Sequence, residues 1–195
     1  MMKSVIPGKY FRLSGLILAL VCMGGLLRAE DKTKEVEAGD LKLTVPESWK
    51  FTQPSSNLRL AQAEVPAAEG DKDAAELVVF YFGSGGAGGT KANIDRWTSQ
   101  FDAAGRKVKI LEGTSSHGKY TLVDLQGTYN RPVGPPILRK TEKMPGARGL
   151  FIILSHEKQG DFFLRLTGPE KTVAANADPL RKAIGAKKDD EKEAK

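Results

Sequence analysis

Residues 76–101 read ELVVFYFGSGGAGGTKANIDRWTSQF: an apolar run, a glycine cluster and a helical pattern, in that order. Gly83, Gly85 and Gly88 spell G-x-G-x-x-G, which in a doubly wound fold rests a pyrophosphate on a helix N-terminus. Glu112, 24 residues after Gly88, even stands where such a site wants an acid. Two features oppose that reading. The strand ending at Glu112 runs into a turn at His117-Gly118, where a parallel sheet needs a crossover helix. The glycines continue to Gly89, so the helix begins after the fingerprint. The Walker order fails as well, because Thr90 precedes Lys91. The run up to Phe82 therefore predicts a strand central to a sheet and the glycines a flexible connection. No dinucleotide is expected. Ile94, Trp97, Phe101 and Ala104 then recur at helical spacing, with Thr90 or Asn93 to cap the helix and Gly105 to stop it.

On both sides of this stretch the period is two. Leu41, Leu43 and Val45 alternate with Lys42 and Thr44, as in a half-buried strand. WKF (49–51) starts a short strand, and LRLAQAEV (58–65) sets Leu58, Leu60, Gln62 and Glu64 opposite Arg59, Ala61, Ala63 and Val65. KVKILEG and KYTLVDLQGTY flank a turn at SSHG (115–118). GLFIILSHE and DFFLRLTG form a hairpin around 158–160, with Phe162, Leu164 and Leu166 on one face and Phe163, Arg165 and Thr167 on the other. PEKTVAANADPLRKAIG reads as a terminal helix that buries Val173, Ala177, Leu180 and Ile184 and that Pro179 could split. Residues 130–148 hold four of the ten prolines and no sustained period, so they read as a long loop. Direct hairpins dominate, which predicts an α+β fold: a mostly antiparallel sheet with helices packed on its faces. Trp49, Trp97 and Phe101 are its expected core anchors.

The first 29 residues differ in kind. Lys3, Lys9 and Arg12 precede an apolar run of 15 residues, Leu13–Leu27, and Arg28-Ala29 lead into charged sequence. That is the pattern of a secretory signal peptide cleaved after Ala29; a bilayer span needs about 20 apolar residues. Val21 stands where a lipoprotein leader before Cys22 would need a small residue. The expected organisation is a signal peptide at 1–29, a charged lead-in at 30–39, one α+β domain at 40–185 and a disordered charged tail at 186–195. Location would be secreted or periplasmic, with membrane contact only through an uncleaved leader. Four of the 30 Lys and Arg residues lie in the leader, leaving 26 against 24 acids. A net charge near +2 with no basic stripe gives nucleic acid no footprint. Cys22 is the single cysteine, so the mature chain has no thiol chemistry.

No catalytic constellation stands out. His117 and His156 lie in turns without metal-ligand spacing, and no G-x-S-x-G elbow presents a nucleophile. No cofactor is expected. The candidate contact surface lies in the proline-rich segment, at Tyr129, Arg131, Pro132 and Pro136, with Phe163 and Tyr129 read as outward or edge residues. The rival is a small-ligand binder or hydrolase with a cleft between that segment and the glycines, using Asp124, His117 or Arg131.

LTVPESWKF, LVVFYFG, NIDRWTSQF and GDFFLRLTGPEKTV together resemble the PsbP-like α/β/α sandwich, the fold of an extrinsic photosystem II subunit and of many exported bacterial relatives. The pattern N-x-x-R-W-x-x-Q-F followed by L-T-G-P is similar still to a set of uncharacterised secreted bacterial proteins. The resemblance implies one sheet with helices on both faces and a noncatalytic accessory or binding role. The expected function is that of an exported interaction domain whose partner is an envelope or extracellular protein.

Overall fold

A computed structural model describes residues 32–83, 85–134, 136–156 and 158–194. The leader lies outside the described residues. Among those that are described, no helix is long and apolar enough to cross a membrane.

The strands are β1 (Thr33–Ala38), β2 (Leu41–Pro46), β3 (Lys50–Thr52), β4 (Arg59–Val65), β5 (Ala75–Tyr81), β6 (Lys107–Ser115), β7 (Gly118–Pro132), β8 (Thr141–His156), β9 (Gly160–Pro169) and β10 (Lys192–Glu193). The helices are α1 (Thr90–Thr98), α2 (Glu170–Ala175) and α3 (Ala177–Ala183). β1 and β2 pair only with each other, and the rest form one sheet in the order β10-β6-β7-β8-β9-β5-β4-β3. Every pairing in it is antiparallel. β5 therefore has antiparallel neighbours on both sides, and α1 leads away to β6 in the other half of the sheet. The strand before the glycines and the strand after the helix are not parallel partners, so no β-α-β unit forms.

Alternation divides the core in two. Leu77, Val79, Leu150, Ile152, Phe162, Leu164 and Leu166 face one side, where β2 and the α2–α3 pair cover them with Leu41, Leu43, Val173, Leu180 and Ile184. Trp49 belongs to this core and is fully buried, its indole N–H donating to Asn176 Oδ1 at 3.0 Å. On the other side Val123, Leu125, Phe151, Ile153 and Phe163 meet Trp97 and Phe101. Trp97 stacks on Phe151 at 5.1 Å between centroids. The result is α+β with a large antiparallel sheet and helices on both faces.

Several expectations need correction. The lead-in at 30–39 is largely β1, because Val36 and Ala38 give it an apolar edge to lay along β2. The segment 130–148 is mostly strand: β7 reaches Pro132 and β8 starts at Thr141. Its prolines are compatible because Pro132 ends a strand and Pro145 sits in a bulge. There the ladder steps from Gly127↔Ala147 to Tyr129↔Met144. Gly146 takes the positive φ of 65° that such a bulge needs. The tail at 186–195 is ordered over its described part, with β10 paired to β6 and Glu191 buried against Arg181. Phe101 is buried but lies beyond α1, bridging to Tyr129. The terminal helix, by contrast, splits as Pro179 allowed: it breaks at Asn176, and Pro179 falls in the first turn of α3, where a missing N–H is tolerated.

Candidate functional site

The covering of the second face decides where a site can exist. Eight strands about 4.8 Å apart make a sheet roughly 34 Å wide. The nine residues of α1 span only about 14 Å. α1 docks over β8 and β9 through Trp97 and reaches Phe80 and Phe82 at the end of β5, short of β4 and β3. The far end of the β7–β8 hairpin borders the face over those two strands. Between them lies a groove of about 550 Å³ whose lining includes Arg59, Gln62, Glu76, Tyr129, Arg131 and Arg165.

Its charges are interlinked. Glu76 accepts from Arg59 at 3.2 Å and from Gln62 Nε2 at 3.0 Å, and lies 3.8 Å from Arg165. Arg59 also donates to Gln62 Oε1 at 3.0 Å. The Arg59 and Arg165 guanidiniums approach the Phe80 ring at 5.8 and 5.5 Å. A bulge places Arg59 here: the register steps between Arg59 and Ala61, turning Arg59 onto the face of Gln62 and Phe80. Arg131 pairs with Glu142 at 2.6 Å on the hairpin. Tyr129 is buried, and burial raises its hydroxyl above the ordinary tyrosine value against the nearby charge of Arg165.

A smaller cavity of about 110 Å³ lies along the same face beneath α1, with Arg165 in the wall of both. Phe80, Phe82, Trp97 and Phe163 form its apolar walls, and Arg96 and Gln100 complete it. The motif N-x-x-R-W-x-x-Q-F is largely accounted for by this region. Asn93 donates to the carbonyls of Ala87 and Gly89, both at 3.1 Å, stitching the glycine connection to the helix. Arg96 donates to Asn93 Oδ1, while Trp97 and Phe101 enter the core.

Of the residues singled out from sequence, Tyr129, Arg131 and Pro132 come together at the groove. Tyr129 is its buried wall, where an outward residue was expected, because Phe101 packs on its ring at 5.0 Å. Phe163 is likewise buried, under Trp97. Pro136 opens a single 3-10 turn, and its side chain lies outside the described residues. The rival set does not converge. Asp124 points to the opposite face and is clamped by Arg148 at 2.9 and 2.6 Å. His117 precedes the start of β7, roughly 45 Å along the strand from Arg131. It lies beside His156, with centroids 6.1 Å apart. Burial, and then the neighbouring His156, lower the His117 pKa. Among the described residues no three His, Cys, Asp or Glu side chains gather as around a metal ion. Arg59, Glu76 and Arg165 were missed; the readable signal was Arg165, a charge set between Leu164 and Leu166 in an apolar run, whereas Arg59 and Glu76 stand at the starts of their strands.

No protein-family model matches this chain, and no curated protein matches it. Among solved structures, PA94 of Pseudomonas aeruginosa, a protein of unknown function, matches 78% of this chain and 94% of its own. The identity is 15% and the TM-score 0.42, a likeness too loose to carry family or function.

Proposed function

We propose that this chain is an exported, noncatalytic binding domain that holds its partner in the groove beside the β7–β8 hairpin. The observation that carries the reading is that groove: open, about 550 Å³, and lined by three arginines with the tyrosine and proline of the hairpin. A volume in this range suits recognition of a small molecule or a peptide segment. Glu76, the acid at its centre, is held between Arg59, Arg165 and Gln62, which suits a counter-ion more than a proton carrier. Export rests on the leader pattern of residues 1–29, and an envelope or extracellular protein is the partner it favours. A PsbP-like sandwich is the fold family this reading prefers, on the strength of the N-x-x-R-W-x-x-Q-F and L-T-G-P elements.

Photo-crosslinking tests the reading. A photoreactive side chain at position 131 should capture a discrete envelope or secreted protein. The same group at position 72, in the exposed loop that packs against α2, should not. Equal capture at both positions, or none at 131, removes the groove from the account.

A further inference from the structure

Among the described residues, Leu58 and Val108 are large apolar side chains exposed singly, whereas Ile137 and Leu138 are exposed side by side. They stand at the tip of the β7–β8 hairpin, in the 3-10 turn Pro136–Leu138, 88% and 55% exposed. The arm that carries them has left the sheet. β6 pairs with β7 only as far as Gln126, and β9 with β8 only as far as Ala147. Beyond Asn130, whose N–H donates to Gln100 O at 2.8 Å, the rungs run only between β7 and β8. Val133 N–H donates to Lys140 O at 3.0 Å and closes the tip loop. Arg139 takes a positive φ of 47°, alone among the described non-glycine residues, and turns the chain back towards β8. Arg139 and Lys140 are exposed and directly follow the apolar pair. Nearby acids are already engaged: Glu142 pairs with Arg131 at 2.6 Å and Asp102 with Lys143 at 2.8 Å. We infer that this tip docks on a membrane: Ile137 and Leu138 enter the headgroup layer of a bilayer rich in anionic phospholipid, and Arg139 and Lys140 meet its phosphates.

Area and charge choose this occupant. A standard protein interface buries about 800 Å² on each partner, and two side chains at a hairpin tip expose far less. A bilayer needs no matching pocket. It takes single apolar side chains into the boundary between headgroups and acyl chains, and adds to their burial its attraction for basic residues. A second copy of this chain fits poorly, because a two-fold contact at the tip would set Arg139 and Lys140 against their own counterparts. Each Lys or Arg held near an anionic surface strengthens binding about fivefold. A short apolar anchor alone gives a weak, reversible contact, and firm attachment takes an apolar and a basic element together. Residues 137–140 supply both in consecutive positions. None of them lines the groove, so a docked tip and an occupied groove are compatible.

Sedimentation of the full chain with phosphatidylcholine vesicles, with and without phosphatidylglycerol, tests this. The leader is common to every variant, so differences between variants report the tip. The unaltered chain should bind the phosphatidylglycerol vesicles more tightly. Ile137→Ser with Leu138→Ser should weaken that binding about tenfold or more. Arg139→Gln with Lys140→Gln should weaken it by about as much and remove most of the advantage of phosphatidylglycerol. Urea midpoints should stay unchanged in both, because all four side chains are exposed. Ile137→Trp adds a depth probe. Brominated acyl chains should quench the introduced indole, while Trp49 and Trp97, buried in the two cores, stay unquenched. No vesicle binding, equal affinity for the two vesicle types, binding that both paired variants leave unaltered, or an unquenched indole would each overturn the membrane contact. Capture of a discrete protein by a photoreactive group at position 137, with vesicles ignored, would replace the bilayer by a protein and overturn it as well.

Discussion

Replacing Glu191 by alanine should destabilise the whole domain, although it lies in a tail that looks solvated in sequence. Its side chain is 3% exposed and its partner Arg181 is 8% exposed. Arg181 Nε and one terminal nitrogen donate to the two Glu191 oxygens at 2.7 and 2.9 Å. The Tyr120 hydroxyl donates to the same carboxylate at 2.9 Å. Burial, followed by that hydrogen bond, raises the Tyr120 pKa well above the ordinary value. Removing the carboxylate leaves the buried guanidinium with Ala177 O at 3.1 Å and the largely exposed Asp178 carboxylate at 3.6 Å. Breaking a buried pair from one side costs about 3–5 kcal/mol, against a total stability of about 5–15 kcal/mol. Urea denaturation should show a lower midpoint at unchanged slope. Deleting residues 187–195 should reproduce the loss, and Arg181→Met combined with Glu191→Leu should recover most of it, since an apolar pair removes both charges. A loss below about 1 kcal/mol for Glu191→Ala is the value of an exposed pair, and would refute the idea that the tail latches the fold.

Three other outcomes are expected. Trp97→Ala should cost about 3–5 kcal/mol by denaturation, because the indole stacks on Phe151 and is 6% exposed; a loss under about 1 kcal/mol would mean α1 is not docked through it. The depressed His117 pKa, caused by burial and by His156, means the folded state resists protonation there. Its contribution is present above the unfolded value of about 6.5 and is lost as pH falls through the lower folded value. His117→Gln should therefore flatten the fall in denaturation midpoint between pH 7.5 and 5.5, and an unchanged slope would exclude His117 as its source. Intact-mass measurement of protein recovered from the envelope or medium should give a chain starting at Glu30; retention of residues 1–29 would sink the cleavage.

What the sequence disclosed follows from the range over which each feature is encoded. Alternation is local, so Leu41, Leu43 and Val45 and the two faces of 162–167 were legible, as was the hairpin at 158–160. Trp97 is buried as its spacing implied. Phe101 continues the same period, yet the helix ends at Thr98, and it is the bridge to Tyr129 that buries it. The proline-rich segment misled because prolines mark loops only where the backbone must donate to a ladder. Pro132 and Pro145 fall at a strand end and a bulge. The charged tail misled for another reason. One carboxylate placed opposite Arg181 orders it, and a pairing ten residues apart leaves no periodic trace.

The groove was half legible for the same reason. Its hairpin wall, Tyr129 to Pro132, is contiguous in sequence and was found. Its charged floor comes from β4, β5 and β9, and β9 sits beside β5 only because the chain returns from the far half of the sheet. Arg59 was assigned to the wrong face, since strict alternation groups it with Ala61, Ala63 and Val65; the extra residue at the bulge reverses that. A charged residue within an apolar strand costs stability unless something meets it. Glu76 and Arg59 meet each other closely, whereas Arg165 keeps a buried Nε without a partner. At the junction of the aromatic cavity and the open groove, that guanidinium is met by the Phe80 ring at 5.5 Å and by Glu76 at 3.8 Å, contacts between three strands that no single stretch of sequence displays.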